Sequence, residues 1–175
     1  MRRALLSLLL IAGARPLAAQ TICSTPNGSA NTSCSGNVAS SLTIPIILRL
    51  TLDDTSSTIT SPTSADYTAG QTSSASTGPV ATIRSNNNWT LLVRASAAVW
   101  TGTGGARATK PAGDLLWSKT SGGSYTALTT TNVTVATGTR GSSNVTTLFY
   151  KTNWAWNLDT PGTYTLTVIY TATAP

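Results

Sequence analysis

Pro161-Gly162-Thr163-Tyr164-Thr165-Leu166-Thr167-Val168-Ile169-Tyr170-Thr171-Ala172-Thr173-Ala174-Pro175 closes the chain, and its reading decides the fold class. Pro-Gly is a turn signal, and behind it the residues alternate. Tyr164, Leu166, Val168 and Tyr170 fall on one side; Thr165, Thr167, Ile169 and Thr171 fall on the other. Successive side chains of a strand point to opposite faces, so this period of two makes one apolar face and one mostly hydroxyl face. Such a strand lays its apolar face on a core built by earlier segments. The stretch predicts a last strand that closes a half-buried sheet.

The same alternation recurs upstream. Trp89-Thr90-Leu91-Leu92-Val93-Arg94-Ala95 puts Trp89, Leu91, Val93 and Ala95 inward, with Trp89 expected against the Leu166 and Val168 face of the last strand. Leu42 to Leu52 reads as a long strand with Pro45 at a bulge or edge, because proline cannot donate to a ladder. Asp53-Asp54-Thr55-Ser56 then reads as a turn, since Asp favours turns through local hydrogen bonds. Further strands are predicted at 57–60, 80–84, 115–117, 125–128, 132–136 and 144–151, the last with Val145 and Phe149 on one face. The segment 100–113 is Gly-rich and reads as a long surface loop carrying Arg107 and Lys110. Thr and Ser dominate the composition, and Thr suits a half-solvated pleat. No stretch has a helical period. The expected fold is all-β, a single antiparallel β-sandwich of immunoglobulin-like or Greek-key type with about eight to ten strands.

Both ends of the chain carry separate signals. Met1-Arg2-Arg3, an apolar run over residues 4–14 and the small residues Ala18 and Ala19 have the layout of a secretory signal peptide. The run is too short to span a bilayer, which takes about 20 apolar residues. The expected division is a leader at 1–19, an N-terminal segment at 20–39 and a sandwich domain at 40–175. About 155 residues would remain after cleavage, enough for one self-sufficient core. Cys23 and Cys34 flank ten residues rich in Ser, Asn, Pro and Gly, and an even pair this close in an exported chain reads as a local disulfide. The expected location is secreted, at the cell surface or in the periplasm.

Charge and side-chain inventory narrow the function. The formal net charge is +6, but three of the 11 Lys and Arg fall in the leader, leaving eight against five Asp, or +3. These bases are scattered, so no stripe follows a phosphate backbone and no nucleic-acid partner is expected. There is no His and no Glu. Ser-His-Asp and Cys-His sites cannot be assembled, zinc lacks its usual ligands, and no Gly-Lys-Ser/Thr loop is present. Asp66, Asp114 and Asp159 are the isolated carboxylates that a glycosidase dyad would have to use. No enzyme, cofactor or metal is expected.

What remains is surface. Five Trp accompany one Phe. Trp89 reads as core, whereas Trp100, Trp117, Trp154 and Trp156 lie beside turns, where an indole either plugs an end of the sandwich or stands half exposed to stack on a sugar or anchor a protein contact. Trp154 and Trp156 share one side of a short segment and are the leading binding candidates.

Asn88-Trp89-Thr90-Leu91, together with the terminal Gly162-Thr163-Tyr164 … Ala174-Pro175, resembles the Trp-x-Leu (WxL) cell-surface domains of bacteria. Tyr170-Thr171-Ala172 stands where that family has its second Trp-x-Leu. The resemblance implies a β-rich protein held non-covalently on the cell wall. The Pro-Gly-Thr-Tyr strand is also similar to the last strand of spore-coat-U-like and fimbrial subunits, which implies assembly by donated strands. The function expected is therefore a non-enzymatic envelope or surface protein that binds cell-wall polymer or other envelope proteins, with further copies of itself among the partners. A pilus-like subunit and a small carbohydrate-binding module are the alternatives.

Overall fold

The computed structural model describes residues 38–175, so the leader and the Cys23–Cys34 pairing lie outside the described residues. Residues 44–175 form one compact unit. It contains ten strands: β1 (Leu48–Leu52), β2 (Ser76–Ser85), β3 (Trp89–Ala95), β4 (Thr101–Thr103), β5 (Leu115–Ser118), β6 (Thr126–Ala127), β7 (Val133–Gly138), β8 (Gly141–Thr152), β9 (Thr163–Thr165) and β10 (Val168–Thr173). One sheet runs β1-β2-β8-β5-β6, a second runs β10-β3-β7, and β4 pairs with β9 in a ribbon. Every strand pairing is antiparallel. The fold is the all-β sandwich that the alternation predicts. Among the described residues no helix is long and apolar enough to cross a membrane.

The core follows the period of two. Along β3 burial alternates without a break, with Leu91, Val93 and Ala95 wholly enclosed. Ile83 of β2 and Leu148 and Tyr150 of β8 meet them from the five-stranded sheet, and Tyr164, Leu166, Val168 and Tyr170 of the closing segment pack onto the same cluster. The Tyr150 and Tyr170 hydroxyls hydrogen-bond at 2.6 Å. Burial raises both phenols, so the pair stays neutral and one hydroxyl must donate to the other.

Several expectations need correction. A six-residue helix, α1 (Ser64–Ala69), interrupts the strands. Thr63 caps it by accepting from the Asp66 amide at 3.2 Å, while Asp66 accepts from the Thr63 amide at 2.8 Å. Gly70 ends it at φ 76°, a left-handed conformation that glycine adopts at no steric cost. Only the second half of 42–52 is strand. Asn86 takes over ahead of β1, accepting from the Ile47 amide at 2.8 Å and donating to the Pro45 carbonyl at 2.9 Å. In β8 the inward face is Leu148 and Tyr150, and Val145 is exposed. Residues 57–60 form no strand. The Asp53-Asp54 turn is as expected: Asp53 accepts from the Val80 amide at 2.6 Å and Asp54 from the Ser56 amide at 3.0 Å.

Trp89 is core, but not where the alternation alone would put it. It lies opposite Gly138 of β7, while Val168 pairs with Ala95 at the other end of β3. Six residues of strand, about 20 Å, separate the two positions. The indole instead covers Gly138, where an added Cβ would come within 2.3 Å of the ring, and its Nε1–H donates to the Thr139 carbonyl at 3.2 Å.

Candidate functional site

A groove opens beside the closing segment. Among the described residues the strand β10 has a ladder partner, β3, on one side only. Its other edge and β9 form one wall, and the irregular stretch after β1 forms the other. Two adjoining hollows of about 620 and 260 Å³ share Ser57, Tyr150, Thr165, Leu166 and Val168. Ile59, Trp100, Leu115 and Leu166 give the larger hollow apolar surface, while Thr58, Thr60, Thr163 and Thr165 supply hydroxyls. Two of its lining residues hold buried polar atoms without a partner, Trp154 Nε1 and Thr152 Oγ1. A buried donor left unpaired costs about 1–3 kcal/mol, so such atoms mark where an occupant with polar groups would gain most.

An aromatic and ionic cluster closes one end of this groove. The helix α1 carries Tyr67 to within 5.7 Å of the Trp154 ring and 4.7 Å of the Trp156 ring. The rings of Trp154 and Tyr164 meet edge-on at 5.7 Å. Beneath them lies Lys110, whose side chain is 0% exposed. Its ammonium sits 4.2 Å from the centre of the Trp154 ring, a cation–π contact in a dry setting. It pairs with Asp114 at 3.1 Å and Asp159 at 3.2 Å, and donates to the Asn153 carbonyl at 2.7 Å. Arg107 pairs with the other oxygen of Asp159 at 3.4 Å. The cluster thus holds two cations and two carboxylates. Burial first, then the negative charge of Asp159, raises the Tyr67 phenol and keeps it protonated.

The loops that carry these residues are stitched together. Tyr164 accepts from the Arg107 amide at 3.0 Å and donates to the Thr160 carbonyl at 2.7 Å. Thr160 donates to the Gly105 carbonyl at 2.7 Å, and Ala155 N–H donates to Asp159 at 2.9 Å.

Of the four tryptophans read as exposed, the structure brings Trp154 and Trp156 together, and Trp156 is 65% exposed. Trp100 and Trp117 are core rather than binding surface: each is buried in the hydrophobic cluster, Trp117 on β5 between β8 and β6. The Trp100 Nε1–H is tied to the Pro111 carbonyl at 3.1 Å. Asp114 and Asp159 do meet, but with Lys110 between them, and Asp66 is consumed in capping α1. The ionic cluster was legible only in part: Lys110 and Asp114 have i,i+4 spacing, yet nothing in the sequence ties them to Asp159. Lys110 read as a loop cation, whereas it is fully buried.

No family model, no curated protein and no solved structure matches the chain.

Proposed function

We propose that this protein is a non-enzymatic, exported envelope component that works by contact, and that its working surface is the groove along β9 and β10. The observation that carries this reading is the groove itself, a channel of mixed apolar and hydroxyl lining, walled by a strand edge that has no ladder partner among the described residues. An extended polypeptide adding to such an edge gains main-chain hydrogen bonds from the edge and side-chain burial from the floor.

The occupant that fits is a second copy of the chain. Leu42, Ile44 and Ile46 are 85, 70 and 55% exposed, an alternating apolar run without cover among the described residues. Exposed apolar runs of this kind mark interaction sites. On a strand, residues of one parity send their side chains to one face of the sheet and their backbone N–H and C=O groups to one edge. With Leu42, Ile44 and Ile46 facing the groove and the β10 edge, Pro45 faces away, where its missing N–H costs nothing. Six residues extend about 20 Å, within the reach of the eight-residue wall from 163 to 170.

Sedimentation velocity on the mature protein tests this. Concentration-dependent assembly is expected, and the double variant Ile44→Asp/Ile46→Asp should stay monomeric, with unfolding in dilute solution unchanged. A wild-type monomer at every concentration would refute self-assembly. A carbohydrate is the second reading, favoured by the exposed Trp156 ring beside Tyr67; saturable glycan binding lost in Trp156→Ala would select it.

A further inference from the structure

We propose that Lys110 and Asp159 join in an intramolecular isopeptide bond, with Asp114 as the acid–base group for the condensation. This inference is independent of what occupies the groove.

The starting point is the placement of Lys110. Its side chain is 0% exposed and that of Asp159 is 1% exposed, and their polar atoms lie 3.2 Å apart. A pair buried this deeply is weak as a stabilising device, because desolvation offsets the Coulomb attraction and apolar residues of similar size do as well. Its geometry, however, is that of two reactants held in contact. Intramolecular reactions in such an arrangement reach effective concentrations of about 10⁵–10⁸ M. A second carboxylate touches the same nitrogen: Asp114 lies 3.1 Å from Nζ.

The atoms balance without any outside reagent. The ammonium releases one proton to the Asp159 carboxylate through Asp114, which leaves a neutral amine beside a carboxylic acid. Nζ attacks Cγ of Asp159, the C–N bond forms, and negative charge builds on Oδ1. Arg107 is 3.4 Å from that oxygen and stabilises the charge there. Asp114 takes a second proton from the nitrogen and delivers it to Oδ2, which leaves as water when the C–O bond breaks. Two of the three ammonium protons depart in that water. The third remains as an amide N–H beside the Asn153 carbonyl, which already accepts from Nζ at 2.7 Å. The amide carbonyl keeps Arg107 as its partner. Trp154 and Tyr164, at 4.2 and 5.8 Å from Nζ, screen the new bond from hydrolysis.

The bond would tie the loop holding Arg107, Lys110 and Asp114 to the loop after Trp154, fixing the floor of the aromatic cluster. Mass spectrometry of the reduced, folded, mature protein reads it directly. The intact mass should fall short of the sequence mass by one water. Trypsin does not cut between Lys110 and Pro111, so peptide 108–119 should appear joined to peptide 152–175. Lys110→Arg keeps the charge without a comparable nucleophile and should give both peptides free, at full mass. Asp114→Asn should lose the linked species while circular dichroism still reports the sandwich. Free peptides in the wild-type digest would overturn the proposal, and that result needs no variant to fold. A water loss confined within peptide 108–119 would overturn it too, by assigning the link to Asp114, and a linked species persisting in Asp114→Asn would remove Asp114 from the chemistry.

Discussion

Trp89→Ala should remove most of the stability of this domain. The residue is 4% exposed, so nearly the whole indole leaves water on folding. A buried Trp covers about 150–250 Å², which at about 25 cal/mol per Å² corresponds to about 4–6 kcal/mol as an upper bound. Measured Trp→Ala losses in cores run at about 3–5 kcal/mol, set by how far the cavity collapses. That range already includes the lost Nε1 bond to Thr139, worth about 1 kcal/mol. Domains have about 5–15 kcal/mol in total, so the variant should be largely unfolded or absent from the secreted fraction. Denaturant titration against Trp156→Ala gives the comparison, because Trp156 is 65% exposed and its truncation should cost on the order of 1 kcal/mol. The contact also works in reverse. Gly138→Ala puts a Cβ within 2.3 Å of the indole and should cost about 1–3 kcal/mol in the wild type. In a background where Trp89 is already a smaller side chain such as Leu, the same change should cost much less. Equal losses for Trp89→Ala and Trp156→Ala, or a Gly138→Ala cost independent of the indole, would refute the packing argument.

Tyr170→Phe leaves the buried Tyr150 hydroxyl without its 2.6 Å partner and should cost about 1–3 kcal/mol, whereas adding Tyr150→Phe should recover part of that loss; equilibrium unfolding of the cycle measures the coupling. Asp66 is held well below the usual carboxylate range, first by the Thr63 amide and then by the Ser73 amide. A depressed pKa contributes stability that is full above the unfolded value, about 3.9, and drains away as pH falls toward the folded one. Acid titration of wild type and Asp66→Ala should therefore diverge above about pH 4 and converge in stronger acid. Ile44→Asp/Ile46→Asp should leave the unfolding midpoint unchanged in dilute solution, where both proteins are monomeric, since both side chains are mostly in water, and should abolish the concentration-dependent rise that assembly gives the wild type.

The sandwich was legible because period two is written into single segments. Leu91, Val93 and Ala95 need no knowledge of their partners to declare a buried face, and neither do Leu166, Val168 and Tyr170. What the pattern could not convey was which segments meet. The alternation turns Trp89 inward but does not set which end of the last strand it meets, because register is a property of a pair. The helix α1 carries a capping signature in Thr63-Ser64-Ala65-Asp66 with Gly70, but six residues are too few to show a 3.6 period. Trp100 and Trp117 plug the sandwich, the other reading their turn-side places allow, because a turn neighbour does not make a ring exposed. The ionic cluster is a tertiary fact: Lys110 and Asp159 stand far apart in sequence, and only the folding of two loops onto one another brings them to 3.2 Å.

The central claim is that the open edge of β9 and β10 receives the apolar run 42–47 of a neighbouring copy. Hydrogen exchange on the mature protein, compared between dilute and concentrated solution, tests it at both partners at once. Amides of residues 163–170 and those of residues 42–47 should slow together as concentration rises, with the rest of the sandwich unchanged. Exchange at the same rate in both segments at every concentration, or protection appearing at β6 or β7 instead, would contradict the account.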